Sequence, residues 1–293
     1  MTQEKRFDLR SGYIWFDGKF VDWKKAKIHV LTHGLHYGSC VFEGARVYDG
    51  KIFKLIEHTE RLFNSAKLLG LKIPFSKKKI NVVSKLLIKK QKIKNGYLRP
   101  FTWRGSEMMA ISAQKTTIHV ALAAWEMSTY FKPQKKLKGI KLQTAKWQKP
   151  SPNTAPTQAK AAGLYMICTL SKHYAEKNNY DDSLMLDYKG RVAESTGSNI
   201  FIVKKGILYT PIADCFLNGI TRQVIISLAK KNDIKICEKY IFPKELLKAE
   251  EVFLTGTAVE ITPVSQIDKK KFKIGSVTKK LIYLFNNLVG KIK

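Results

Sequence analysis

From Tyr13 onward the apolar positions fall in short runs divided by turn residues. Tyr13-Ile14-Trp15-Phe16, Asp17-Gly18 and Lys19-Phe20-Val21 read as a strand, a type I′ turn and a return strand. The same grammar repeats in Val41 to Tyr48, Asp49-Gly50 and Lys51 to Leu55. Helical spacing then sets in from Arg61 to Leu69 and closes at Gly70, and Ser76 caps a lysine-faced amphipathic helix running to about Lys94. Strands over Tyr97 to Arg104 and Thr117 to Trp125 complete a first domain, residues 1–126.

The apolar period lapses between Glu126 and Gly139 into a polar, proline-marked stretch, which predicts an interdomain linker over 127–138. The second domain, 139–293, opens with a strand at Ile140-Lys141-Leu142 and a proline-rich loop from Lys149 to Pro156. A helix is expected from Ala161 to Lys177, with Lys160 at its start. Short strands follow at Leu184 to Leu186, Ile200 to Val203, Ile207 to Tyr209, Ile234 to Tyr240 and Val252 to Leu254. Further helices are expected at Ile220 to Asn232, Pro243 to Ala249 and Val277 to Leu288. This mixture is α+β, and the lack of any repeat of roughly 20 to 50 residues excludes solenoids and propellers.

Composition agrees with two folded domains: 293 residues exceed one usual core, and 44% are hydrophobic. The 53 Lys and Arg against 23 Asp and Glu leave a net charge of +30, which raises the case of a basic nucleic-acid-binding protein. The lysines are scattered through every segment, however, and no zinc-finger, RNA-recognition or basic-zipper pattern accompanies them. Cys40, Cys168, Cys215 and Cys237 form no CxxC pair, and three lie in apolar surroundings as buried free thiols do. With no signal-type segment at Met1 to Asp8 and no apolar run of about 20 residues, a cytoplasmic protein without a membrane span is expected.

Several residues offer chemistry. His29, His33 and His36 would share a face on a continuous helix and suggest zinc, but Gly34 and Gly38 weaken that helix and no second ligand cluster is present, so no metal is assigned. Leu217-Asn218-Gly219-Ile220-Thr221-Arg222 is a glycine turn opening a helix, a setting that suits phosphate. Gly256-Thr257-Ala258 supplies a second set of backbone donors and a hydroxyl. Glu194 stands among small polar residues ahead of a strand. Lys160 is set apart by its Ala, Gly, Leu and Tyr neighbours, which would desolvate its amine into a nucleophile, although a lysine snorkelling from an apolar helix fits the local sequence too.

Six segments in order carry a resemblance: His36 to Arg46, Tyr97-Leu98-Arg99-Pro100, Ala155 to Gly163, Glu194 to Phe201, Gly219-Ile220-Thr221-Arg222, and Thr255 to Val264. Together they resemble the branched-chain amino-acid aminotransferases, class IV enzymes of pyridoxal 5′-phosphate with the two-domain fold-type IV architecture also found in D-amino-acid aminotransferases. The likeness runs from about Ile14 to Val264. It implies a small α/β N-terminal domain and a larger C-terminal domain with a mixed, barrel-like sheet and helices. It further implies reversible amino transfer between leucine, isoleucine or valine and 2-oxoglutarate by a ping-pong mechanism.

Residue by residue, the resemblance makes Lys160 the cofactor-linking group and proton carrier, Glu194 the partner of the pyridine nitrogen, and Tyr165 a hydrogen-bond partner of the ring oxygen. The phosphate would lie among Arg61, the turn Leu217 to Gly219, the N–H groups of Ile220 and Thr221, and the Thr257 hydroxyl. Tyr97, Thr257 and Ala258 would meet the substrate carboxylate, and Arg99 the side-chain carboxylate of glutamate. Phe42, Tyr130 and Tyr165 would line an aliphatic wall, and Tyr37 would come from a neighbouring subunit. At least a homodimer is therefore implied, with a hexamer the larger assembly that the resemblance admits. Met127 stands where many relatives carry tryptophan and Asn218 where many carry proline, so a softer wall is expected at the first position. D-amino-acid aminotransferases and aminodeoxychorismate lyases share the lysine and glutamate framework; Tyr97-Leu98-Arg99-Pro100 and His36-Tyr37-Gly38 favour the branched-chain type.

Overall fold

The computed structural model describes residues 6–131 and 133–291. The chain forms two compact units, one running to Ser128 and including Ala159–Gly163, the other made of Thr129–Gln158 and Leu164 onward. The short stretch around Lys160 thus belongs with the first unit, although its sequence neighbours on both sides belong to the second.

The first unit contains β1 (Tyr13–Phe16), β2 (Lys19–Asp22), α1 (His33–Tyr37), β3 (Cys40–Phe42), β4 (Ala45–Tyr48), β5 (Lys51–Ile52), α2 (Leu55–Leu68), α3 (Lys77–Lys90), β6 (Gly96–Arg104) and β7 (Ile118–Glu126). The strands form one sheet in the order β2-β1-β7-β6-β4-β5, with β3 also paired to β6. The turn between β1 and β2 has positive φ at both Asp17 and Gly18, as the type I′ reading requires. α3 lays Ile80, Val83, Leu87 and Ile88 onto a core shared with Trp15, Val47, Leu98, Val120 and Leu122. Its N-terminus is capped by Ser76, whose side chain accepts from the Lys79 N–H at 3.1 Å.

Three expectations need correction here. The run Val41 to Tyr48 is two strands rather than one, because the Glu43 N–H pairs with the Pro100 carbonyl at 2.8 Å and the chain steps out at Gly44. Gly44 is required there: a Cβ would stand 1.7 Å from the Tyr97 hydroxyl oxygen. α2 starts at Leu55 rather than Arg61, since its inward face carries His58 and Thr59 beside Leu62, and these polar residues break the apparent apolar period. α3 stops at Lys90 rather than near Lys94, where left-handed Lys92 turns the chain into β6.

The second unit contains α4 (Pro133–Lys138), β8 (Ile140–Thr144), α5 (Met166–Lys177), β9 (Asp182–Leu186), β10 (Val192–Ser195), β11 (Asn199–Lys204), β12 (Ile207–Thr210), α6 (Ile220–Lys231), β13 (Ile236–Glu238), α7 (Pro243–Leu246), β14 (Glu251–Gly256), β15 (Glu260–Ile267), β16 (Lys270–Lys271) and α8 (Ser276–Leu288). Six strands in the order β10-β9-β8-β15-β14-β11 close on themselves through the pairing of β10 with β11. β12 and β13 extend the sheet beyond β11, and β16 hangs on β15. β8 pairs in parallel with β9 and β15 and the remaining ring pairs are antiparallel, which makes this the mixed, barrel-like sheet expected for the class IV fold. Ile140, Leu142, Leu184, Ile200, Val252 and Leu254 lie in its hydrophobic core.

The segment expected to be a linker contains α4. β10, β15 and β16 are additional strands, and the expected strand Ile234 to Tyr240 shortens to β13. The helix expected from Ala161 is a 3-10 turn over Ala162–Tyr165 followed by α5, and Lys160 lies outside both. Among the described residues no helix is long and apolar enough to cross a membrane.

Candidate active site

Lys160 is held by its backbone. Its N–H donates to Ser65 Oγ on α2 at 3.0 Å, its carbonyl accepts from the Phe42 N–H at 3.1 Å, and Ala161 bridges to Val41 on β3. The lysine therefore leaves an extended, strand-like backbone rather than a helix start. Its side chain is half-buried, with Nζ 4.9 Å from the Phe42 ring centre. The Arg99 guanidinium lies 4.7 Å from the same ring and 5.4 Å from that of Tyr97. Lys160, Phe42, Tyr97 and Arg99 are thus brought together within the first unit. Tyr97 is 8% exposed, and Arg99 Nε is buried without a hydrogen-bond partner.

Arg61 projects from α2 onto Glu43, with Nε donating to Oε1 at 2.5 Å and Nη2 to Oε2 at 3.0 Å. Glu43 is fully enclosed, and His58 Nδ1 also stands 2.7 Å from Oε2. Burial alone would raise the Glu43 carboxyl, but Arg61 and His58 beside it hold it well below the usual carboxylate range. Tyr37 ends α1, is 44% exposed and stacks on His33 at 4.5 Å; Met127 follows β7, half-buried, with its N–H on the Asn95 carbonyl at 3.1 Å.

The three histidines do not converge. His29 Nδ1 accepts from the Leu31 N–H, His33 sits between Ser39 Oγ and the Ala110 carbonyl, and His36 Nε2 meets the Val30 carbonyl. α1 begins only at His33, so the continuous helix that a shared face needs is missing. The four cysteines are free; Cys168 and Cys215 are buried, Cys40 is half-buried and Cys237 exposed. Burial pushes the Cys40 thiol up to about 11.

In the second unit Glu194 stands at the seam of the ring, where its register partner across β10 and β11 is Asn199. Glu194 is 8% exposed. Oε1 lies 2.8 Å from Lys149 Nζ, and Oε2 accepts from Asn199 Nδ2 at 3.3 Å. Asn199 also donates to the Leu217 carbonyl at 3.0 Å and accepts from the Gly219 N–H at 3.2 Å, which ties Glu194 to the turn opening α6. No side chain caps α6, no acid stands in its first turn, and Ile220 and Thr221 are buried there. Its N–H groups and positive dipole end are therefore open to an anion. Asn218 accepts from Arg222 Nη1 at 2.9 Å and helps to fix the turn. Thr257 and Ala258 lie, half-buried, in the turn joining β14 and β15, and half-buried Tyr165 precedes α5. Tyr130 is half-exposed and packs edge-on against Phe131.

Glu43, Ser65, Lys149 and Asn199 do not stand out in the sequence as site residues. Lys149 carries no local signal: it sits beside prolines in a polar loop of a lysine-rich chain, 45 positions from its partner by sequence number. Burial opposes its charge, yet the Glu194 carboxylate raises the Lys149 ammonium well above the ordinary lysine value.

Comparison with known proteins gives the family. The model of the family Amino-transferase class IV matches residues 40–267. A branched-chain-amino-acid aminotransferase of Pseudomonas aeruginosa is 41% identical over 288 residues, covering 96% of this chain and 94% of its own. The Escherichia coli branched-chain amino acid aminotransferase crystal structure superposes with a TM-score of 0.92 at 36% identity, covering 97% of each chain. Another solved branched-chain amino acid aminotransferase, that of T.th., complexed with N-(5′-phosphopyridoxyl)-L-glutamate, superposes with a TM-score of 0.91 at 35% identity, covering 97% of this chain and 96% of that one. The chain is an enzyme that belongs to the class IV aminotransferases, on their branched-chain-amino-acid aminotransferase branch.

Proposed function

We propose that this enzyme moves an amino group reversibly between L-leucine, L-isoleucine or L-valine and 2-oxoglutarate, using pyridoxal 5′-phosphate in two half-reactions. The observation that carries the reading is the backbone clamp on Lys160 at the position that the family motif assigns to the cofactor lysine. The names of the relatives, and the phosphopyridoxyl-glutamate bound by one of them, support the substrates and the cofactor.

The residues present fit the cofactor. An uncapped helix start at Gly219, Ile220 and Thr221, with no acid in its first turn, suits a phosphate, as does the Arg61 cation. A buried carboxylate, Glu194, suits a protonated ring nitrogen. When bound, pyridoxal phosphate supplies the conjugated ring that takes up the electron pair released as the substrate Cα–H bond breaks. Lys160 Nζ would hold the cofactor covalently and, once displaced by the substrate's amino group, would take the Cα proton. Tyr165 serves the ring oxygen, and the Leu217 to Thr221 turn with Thr257 and Arg61 the phosphate. Tyr97, Thr257 and Ala258 receive the substrate carboxylate, and Phe42, Met127 and Tyr130 its aliphatic chain. Arg99 serves the second carboxylate of glutamate, since a guanidinium can hold a carboxylate through two parallel hydrogen bonds.

At least a homodimer belongs to this reading, with Tyr37 serving a neighbouring copy. Its exposure, and that of Val30, Leu31 and Leu35 nearby, supports an apolar surface meant to be covered. The rival chemistry is that of a D-amino-acid aminotransferase. Incubating the pyridoxal form separately with L-leucine and with D-alanine tests the choice: the reading expects the visible band to bleach with L-leucine, and consumption of D-alanine alone would reverse it.

A further inference from the structure

The pair Lys149 and Glu194 asks for an explanation that the family motif does not supply. Lys149 is 9% exposed, a costly place for an ammonium unless it is paired. Its backbone is fixed: the N–H donates to the Leu186 carbonyl at 2.8 Å, and the residue bridges in parallel to Asp187 at the end of β9. Glu194 is fixed on the neighbouring strand, opposite Met185 of β9 and Asn199 of β11. Glu194 therefore hangs from β10 and Lys149 from the loop after β8, pinned by its backbone to the end of β9, so that backbone pairing fixes both ends of their 2.8 Å contact.

Cys168 Sγ also lies 3.7 Å from the ammonium, and Tyr165 is near enough to act on its charge. Burial raises that thiol above its ordinary value, so it stays neutral and Glu194 is the counter-ion. The geometry divides the carboxylate: Oε1 is occupied by Lys149, whereas Oε2 has one amide partner, Asn199 Nδ2 at 3.3 Å, and a second lone pair in reserve. Without Lys149, Oε1 would lose its charged partner and the carboxylate would be free to turn away from the position that Asn199 alone gives it.

We propose that Lys149 is a positioning residue for the reaction, holding the Glu194 carboxylate in one orientation and leaving an Oε2 lone pair for the cofactor's ring nitrogen. This rests on the cofactor reading above. Lys149 touches neither substrate nor cofactor in this role; it acts through Glu194.

The test is a double-mutant cycle on the full-length, cofactor-stripped chain, with pyridoxal 5′-phosphate titrated in and bound cofactor read by its visible absorbance. Lys149→Met should weaken binding at least about tenfold, the scale of one charge-assisted hydrogen bond. It should also shift the pH at which the bound cofactor's absorbance titrates. Lys149→Arg, which keeps the cation, should recover to within about threefold of wild type. In a Glu194→Gln background, Lys149→Met should change affinity less than about threefold, because the group it positions has gone. An unchanged affinity and titration for Lys149→Met would overturn the proposal. So would an equal loss in both backgrounds, which would mean that the lysine merely supports the fold. If Lys149→Met does not fold, Lys149→Gln, uncharged but able to hydrogen-bond, takes its place with the same expectations. A wild-type chain that takes up no pyridoxal phosphate overturns the cofactor reading itself, and is seen before any substitution is made.

Discussion

Glu43→Gln tests how much the first unit depends on one enclosed charge. In the structure Oε1 accepts from Arg61 Nε, while Oε2 meets Arg61 Nη2 at 3.0 Å, His58 Nδ1 at 2.7 Å and the Gly44 N–H at 3.2 Å. A glutamine keeps the volume and one acceptor, but turns an NH2 group towards donors or surrenders the Nε bond. It also leaves a partly buried arginine beside a neutral amide. Breaking a buried ion pair from one side costs about 3–5 kcal/mol. We expect a loss of that order in urea unfolding of the cofactor-stripped chain. The exposed pair Lys54 and Glu57, with side chains 39% and 46% exposed, is the control: Glu57→Gln should cost under about 1 kcal/mol. The charge also has a pH signature. Because the Glu43 carboxyl is held below its unfolded value, its contribution is present above the unfolded pKa and is lost as pH falls through the acid range. Glu43→Gln should flatten that acid dependence. A loss below about 1 kcal/mol, equal to the control, would refute the claim that Arg61 is anchored through Glu43.

Three other outcomes follow from the same reasoning. Glu260 is buried, and although burial opposes its charge, Lys136 and Lys291 lower its carboxyl to about 2. Its stabilisation, roughly 3 kcal/mol at neutral pH, should disappear as pH falls from about 4.5 towards 2. Glu260→Gln should remove that part of the acid unfolding curve. Ser76→Ala should cost about 1 kcal/mol in urea unfolding through loss of the α3 cap, and a neutral result would remove Ser76 from that role. Arg99→Lys should slow the half-reaction with L-glutamate at least about tenfold while changing that with L-leucine less than about threefold, measured by single-turnover absorbance. Equal losses for both substrates would contradict a carboxylate-specific Arg99.

Local rules make much of the fold legible. The Asp17-Gly18 turn, the Ser76 cap and the start of α6 after Gly219 are readable because each depends on residues a few positions apart. The helical expectation at Lys160 fails for the opposite reason. Its Ala-rich neighbours favour helix in isolation, but Ser65 and β3 capture the backbone, and their pairing outweighs local propensity. β10 carries no visible alternation because Val192, Ala193, Glu194 and Ser195 are all buried. Asn199 is invisible as a functional candidate because its meaning lies in the closure of a ring of strands, and Lys149 because a loop brings it to Glu194 across 45 positions, which no local spacing encodes. The motif residues Lys160 and Glu194 can be named from an ordered pattern, whereas the groups that hold them can be named only from coordinates.

The most direct measurement is the visible spectrum of Lys160→Ala after incubation with pyridoxal 5′-phosphate, read beside its turnover with L-leucine and 2-oxoglutarate. The lysine-linked absorption band should be missing and turnover should fall by at least about a thousandfold, the scale expected when a covalent and proton-transferring group is removed. A variant that keeps both the band and the turnover would contradict the assignment of Lys160, and with it the function proposed here.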